Sequence, residues 1–264
     1  MSRALPYRLS VDGAVALVTL SNPQSRNALS SETLEALRWL VADLDARRDV
    51  RAVVLDHEGP AFCAGHDLKE ITAARAAPDR GRAFFETLMA SCAALMTGVR
   101  RMRQPVIAAV EGVATAAGCQ LASCDLAIAG EQARFATPGV HIGLFCSTPM
   151  VALSRDVAPK QAMEMLLLGE PIGARRAETF GLVNRVAPAG ERTATALDWA
   201  RRIAEKSGAT VAVGKRAFYE QAEMTLADAY AHASRVMVDN MLARDAQEGI
   251  GAFVAKRAPV WEHE

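Results

Sequence analysis

Two stretches of this chain combine the residue types that chemistry at a carbonyl oxygen needs. They are Phe62-Cys63-Ala64-Gly65-His66-Asp67-Leu68-Lys69-Glu70 and Gly112-Val113-Ala114-Thr115-Ala116-Ala117-Gly118-Cys119-Gln120. Each follows a short apolar run that reads as a strand, Val50–Leu55 before the first and Pro105–Val110 before the second. Each then turns through small residues into a helical pattern. Small residues let a backbone come close to a ligand, and a helix start leaves amide N–H groups without intrahelical partners. Two such turns can aim two N–H donors at one oxygen, and preorganised donors of this kind are often the largest single catalytic term. Nearby groups that could move a proton or attack are His66, His141, Cys119 and Cys146; of these His66, which lies within a turn and titrates near neutrality, is the best acid/base candidate.

The elements that must hold these turns alternate. Val15–Leu20 reads as a strand closed by Asn22-Pro23. Ser30 or Ser31 is a helix N-cap, followed by Leu34, Leu37, Val41 and Leu44 at helical spacing. Residues 71–82, rich in Ala and Arg with Pro78 inside, read as a mobile loop or frayed helix. Phe84, Phe85, Leu88, Met89, Cys92, Leu95, Met96 and Val99 form a helical apolar stripe whose ordinary meaning is core packing. Leu126–Ala129 reads as a strand. From Lys160 onward the pattern is mostly helical, with Gly169–Gly173 and Gly181–Gly190 as connections. Alternating strands and helices argue for an α/β core, and periodicity alone does not choose among α/β topologies.

Bulk properties narrow the function. A chain of 264 residues, 51% hydrophobic, affords a sizeable core. Thirty basic residues balance thirty acidic ones with no long basic run, which argues against nucleic-acid binding. The five cysteines show no CxxC spacing and read as reduced and buried. Val15–Leu20 is too short to span a bilayer, and no signal peptide is evident, so a cytoplasmic location is the expectation. Gly208–Arg216 has five residues between its glycines and Arg216 where a phosphate loop needs Ser or Thr, so it reads as a loop running into a helix. There is no HExxH, no GxGxxG and no GxSxG, and the five histidines are scattered; no metal site is expected.

Taken in order, Ala64–Lys69, Ala116–Gln120, Phe135–Thr148 and Met237–Trp261 resemble the enoyl-CoA hydratase/isomerase (crotonase) superfamily. Within it the chain is most similar to the subgroup named enoyl-CoA hydratase domain-containing protein 3. The resemblance runs from about Val11 to Trp261. It implies a spiral of ββα turns over residues 1–192 carrying an acyl-CoA site. A C-terminal helical region, residues 193–264, would build a homotrimer or a dimer of trimers. It implies no separate cofactor, coenzyme A being part of the substrate. The implied oxyanion donors are the backbone N–H groups of His66 and Ala117. Asp67, Leu68 and Lys69 would flank the pantetheine channel. Arg26, with Ala28 beside it, would lie toward the nucleotide phosphates. Phe253 and Lys256 would approach the coenzyme A of the same or a neighbouring subunit.

The chain departs from the family at the acid/base positions. The two glutamates that hydratases use fall on Gln120 and Gly139, and a third position used by isomerase and dehalogenase relatives falls on Ser147. Gln holds a water but does not take its proton at neutral pH. Three readings therefore stand: an acyl-CoA enzyme with slow hydratase turnover, a non-catalytic acyl-CoA binding protein, and a thioester hydrolase or decarboxylase.

Overall fold

The computed structural model describes residues 5–263; residues 1–4 and 264, within the two expected regions 1–192 and 193–264, lie outside it. Two sheets organise the chain. The larger has six strands in the order β1 (Tyr7–Asp12), β2 (Val15–Leu20), β3 (Ala52–His57), β5 (Val106–Val110), β7 (Leu126–Gly130) and β10 (Arg185–Ala187); only the β1–β2 pair is antiparallel. The smaller has four short strands, β4 (Ala61–Cys63), β6 (Val113–Thr115), β8 (Arg134–Ala136) and β9 (Ile172–Gly173), in that order.

The parallel strands of this larger sheet are mostly apolar because both faces are covered, with Thr19 in β2, Asp56 and His57 at the end of β3 and Arg185 at the start of β10 as the polar exceptions. Side chains alternate between faces. Val53 and Leu55 join the core with α1 (Ser31–Ala46) and α3 (Arg82–Arg101), while Ala52 and Val54 pack toward α8 (Arg192–Ala204) through Ala196, Ala200 and Ala204. α8 lies C-terminal to residue 192 yet packs on β3, β5 and β7. Burying a leucine such as Leu34 or Leu95 in full contributes roughly 1.5–3 kcal/mol.

Each long strand β3, β5 and β7 runs on, after a short turn, into a strand of the small sheet, β4, β6 and β8. Helices α2 (Leu68–Ala74) and α4 (Ala117–Ala122) then follow β4 and β6. This is the spiral of ββα turns that the family resemblance implies. Ser30 is the N-cap of α1, its hydroxyl accepting from the Thr33 N–H at 3.1 Å. The expected strands 50–55 and 105–110 are shifted to β3 and β5.

Four features differ from expectation. Residues 71–82 begin as the end of α2 and then form a turn fixed by Asp79, whose carboxylate accepts the N–H groups of Gly81 and Ala83, each at 2.9 Å. Gly208–Arg216 is helix from its first residue, within α9 (Gly208–Gln221), because Ser207 caps it through the Thr210 N–H. The connections 169–173 and 181–190 contain β9 and β10. The second small-residue stretch holds β6 before its helix begins. The remaining helices are α5 (Pro149–Asp156), α6 (Pro159–Leu168), α7 (Ala174–Phe180), α10 (Leu226–Met241) and α11 (Arg244–Val254). No helix among the described residues is long and apolar enough to cross a membrane.

Candidate active site

The two small-residue turns meet. Gly65 has φ +86°, and a Cβ added there would lie 3.0 Å from the Thr115 carbonyl oxygen and 3.5 Å from the Ala117 nitrogen. Gly118, in the first turn of α4, is closer still: a Cβ would fall 2.1 Å from the Cys63 carbonyl oxygen. Only glycine lets α4 press this tightly on the end of β4. Between them Ala116 takes φ +50° and ψ −119°, a conformation that costs a non-glycine residue roughly 1–3 kcal/mol. It is held there by its own N–H, which donates to the Ala136 carbonyl at 2.9 Å. The strained residue turns the chain sharply from β6 into α4. Among the described residues neither the His66 nor the Ala117 amide N–H donates to a backbone carbonyl. Two available amides thus flank the junction of the turns.

A strap fixes the first turn from outside. The Leu29 N–H donates to the Gly65 carbonyl at 2.8 Å, and the Ala64 N–H donates to the Arg26 carbonyl at 3.0 Å. Asn27, buried with φ +53°, donates from Nδ2 to the carbonyls of Glu58 and Ala61 at 3.0 and 2.8 Å and accepts the Asn22 N–H. Asn27 escaped the sequence reading, since the two carbonyls it donates to lie more than thirty residues away. Arg26 is exposed and Ala28 is buried beside it. Asp67 caps α2 by accepting the Lys69 N–H at 2.7 Å, while Leu68 and Lys69 are exposed.

His66 is more buried than a solvent-facing loop residue. Its Nδ1–H donates to the Leu29 carbonyl at 3.3 Å, which leaves the lone pair on Nε2, an atom that is buried and has no partner. Burial, the largest cause, pushes its pKa below the ordinary histidine value, against the raising effects of the Leu29 carbonyl and Glu70. The neutral ring therefore prevails at pH 7. Gln120 is buried in α4 and its Oε1 also lacks a partner.

Gly139 lies in a 3-10 turn, Pro138–Ile142. A Cβ there would meet the Leu144 carbonyl oxygen at 2.7 Å and Cys146 Sγ at 3.0 Å, so the vacant glutamate position is closed by backbone. Ser147 is exposed. Cys119 and Cys146 are buried, and burial raises both thiols, Cys119 to about 12, which removes them as nucleophiles at neutral pH. No cluster of three metal-ligating side chains occurs among the described residues. Phe253 is 84% exposed at the end of α11, and Lys256 follows it with φ +53°. The main packing partners of α11 are α9 and α10.

Comparison with known proteins agrees with this architecture. A family model described as enoyl-CoA hydratase/isomerase matches residues 10–264. The rat protein named enoyl-CoA hydratase domain-containing protein 3, mitochondrial, is 47% identical over 247 residues, covering 93% of this chain and 81% of its own length. The crystal structure of an enoyl-CoA hydratase from Mycobacterium smegmatis aligns with a TM-score of 0.92 at 46% identity, over 97% of this chain and 98% of that one. That of human enoyl coenzyme A hydratase domain-containing protein 3 aligns with a TM-score of 0.92 at 43% identity, over 97% and 100%. The expectation of a cytoplasmic location is corrected here, because the rat, mouse and human relatives at 46–47% identity are all named as mitochondrial. A matching family model over almost the whole length, together with these relatives, establishes that the chain belongs to the enoyl-CoA hydratase/isomerase family.

Proposed function

We propose that the chain binds acyl thioesters of coenzyme A with the carbonyl oxygen between the amide N–H groups of His66 and Ala117, and that it stabilises the enolate formed there. The observation that carries this reading is the meeting of the two turns, with Gly65 backed onto the Ala117 nitrogen and both amides available. A neutral thioester oxygen bears only partial charge. Losing the proton from the adjacent carbon, or gaining a nucleophile at the β-carbon, puts a full negative charge on that oxygen. The two donors then interact more strongly with the intermediate than with the substrate, which is the condition for catalysis. The first turn of α4 adds a positive helix end.

Proton transfer is where this chain parts from hydratases. Gln120 takes no proton and Gly139 has no side chain, and general acid–base catalysis is worth about 10²–10⁴ in rate. Hydration of an enoyl-CoA is therefore slow. The proton acceptor in this reading is His66 Nε2, neutral and carrying the lone pair: the α-proton passes to the ring while its bonding electrons move to the thioester oxygen. Asp67, Leu68 and Lys69 line the pantetheine, Arg26 lies toward the phosphates, and Phe253 and Lys256 reach the coenzyme A of a neighbouring subunit. That arrangement needs a homotrimer or a dimer of trimers. The exposed apolar side chains of Leu226, Tyr230, Met237, Leu242, Phe253 and Val254 support it, since α10 and α11 leave a large apolar surface uncovered in the single chain.

The test is acetoacetyl-CoA, whose enolate absorbs at longer wavelength than its keto form. Binding is expected to raise the enolate fraction above that of the free thioester at the same pH. An unchanged ratio in a protein that binds the thioester would overturn the oxyanion reading.

A further inference from the structure

Helix α4 is only six residues long, and its far end is held as firmly as its start. Three residues beyond it stands Asp125, whose carboxylate accepts from three directions: the Val106 N–H at 2.7 Å, Lys215 Nζ at 2.6 Å and the Tyr219 hydroxyl at 2.8 Å. Lys215 and Tyr219 are four apart on α9 and so share one helix face. Lys215 Nζ also donates to the carbonyls of Val99 and Gln104, at 3.0 and 2.9 Å, so all three of its donors are used. The side chains of Lys215 and Asp125 are 6% and 12% exposed, which makes this a desolvated pair with every contact satisfied. Burial, then Asp125, raises the Tyr219 phenol well above its ordinary value, so the hydroxyl stays protonated and donating.

The knot reaches α4 by a second route. The Arg100 guanidinium lies over the Tyr219 ring at 4.9 Å and pairs with Asp156 at 3.1 Å, at the end of α5, which packs on α4. The Ser123 hydroxyl, at the C-cap of α4, donates to the Cys119 carbonyl at 3.1 Å and so closes the end of that helix. The start of α4 is fixed by Gly118 against Cys63. With the start of α4 seated against Cys63 and Asp125 held just beyond its end, α9 is tied to the segment that carries the Ala117 N–H, although Lys215 lies nearly a hundred residues away in sequence.

We propose that Lys215 and Tyr219 are positioning residues for the oxyanion turn, clamping Asp125 so that α4 presents the Ala117 N–H at the angle an enolate oxygen requires. This rests on the oxyanion reading above and adds to it the part of the C-terminal region that tunes the site. In this proposal the knot acts through the orientation of α4.

The experiment measures two quantities on the full-length protein: the bound enolate-to-keto ratio of acetoacetyl-CoA, and the Kd of butyryl-CoA, which stays in its keto form. Tyr219→Phe removes one hydrogen bond and keeps the Lys215–Asp125 pair. It is expected to lower the enolate-to-keto ratio about three- to tenfold while changing the butyryl-CoA Kd less than about twofold, because a displacement well under 1 Å costs correspondingly less than the roughly 10²-fold of a full ångström. Lys215→Met combined with Asp125→Asn removes both charges together, avoiding a buried unpaired carboxylate, and is expected to lower the ratio further. Overturning results are a folded Tyr219→Phe protein with the wild-type ratio, or a fall in ratio matched by an equal loss of butyryl-CoA affinity, which a merely structural role produces. A wild-type protein that binds acetoacetyl-CoA without enolate enrichment defeats the oxyanion reading itself, so the two failures are told apart.

Discussion

Replacing Gly118 with alanine tests the oxyanion turn by moving it. The added methyl would lie 2.1 Å from the Cys63 carbonyl oxygen and 2.7 Å from its carbon, and Cβ atoms essentially never approach such neighbours within 3.0 Å. Cys63 O is backbone in β4, so the side that yields is α4, by about 1 Å. A misplacement of about 1 Å costs roughly 10²-fold in a catalytic geometry, close to the approximately 2.7–4 kcal/mol lost with an oxyanion donor. The overpacking itself costs about 1–3 kcal/mol of stability, which leaves a folded protein within the usual 5–15 kcal/mol margin. Gly251→Ala is the control: it is helical, exposed and has nothing within 4 Å of an added Cβ. The assay is the spectrum of bound acetoacetyl-CoA. Gly118→Ala is expected to lose most of the enolate signal while Gly251→Ala keeps it. A folded Gly118→Ala protein with the wild-type enolate fraction would refute the reasoning, since α4 would then have moved without consequence.

Other expectations follow from the same geometry. Wild-type hydration of crotonyl-CoA should fall well below the ordinary range of about 1–10³ per second, and Gln120→Glu should raise it by part of the 10²–10⁴ that acid–base catalysis supplies; a wild-type rate inside that range contradicts the assignment. Gly139→Glu should add nothing and should cost about 1–3 kcal/mol, because the Leu144 carbonyl blocks its Cβ; a stability unchanged in thermal unfolding would count against that. His57 is held at about 4, first by burial and then by Arg192, and its Nε2 accepts the Glu111 N–H at 3.0 Å. Its folded value lies below the ordinary 6.5, so the unfolded chain binds the proton first. Stability from this group is complete above about pH 6.5 and is lost as pH falls toward 4, by up to about 3 kcal/mol. His57→Gln should flatten that part of the pH–stability curve, and an unaltered curve would contradict it. Light scattering at micromolar concentration should find a trimer or hexamer, and a monomer would contradict assembly through α10 and α11.

Much of the scaffold was legible because its signals are local. Val15–Leu20 is a strand as read, Ser30 caps α1, and the stripe Leu88, Cys92, Leu95 and Val99 is the buried face of α3. The strands of the small sheet were not legible. They are two or three residues long and pair with segments far apart in sequence, so no period can form within them. Site legibility divides the same way. Small residues at 65 and 118 announced a close backbone approach, and the structure shows where it occurs. The strap through Asn27 and the Asp125–Lys215–Tyr219 knot had no local signal, because their partners lie more than thirty and about ninety residues away. The closure of position 139 depends on the carbonyl of Leu144, and main-chain direction is not written in the identity of that residue.

The most direct measurement is the position of the thioester oxygen in a crystal structure of the protein with a bound coenzyme A thioester. The expected result is that oxygen within about 2.7–3.2 Å of both the His66 and the Ala117 amide nitrogens. An oxygen beyond hydrogen-bond distance of both would contradict the central claim.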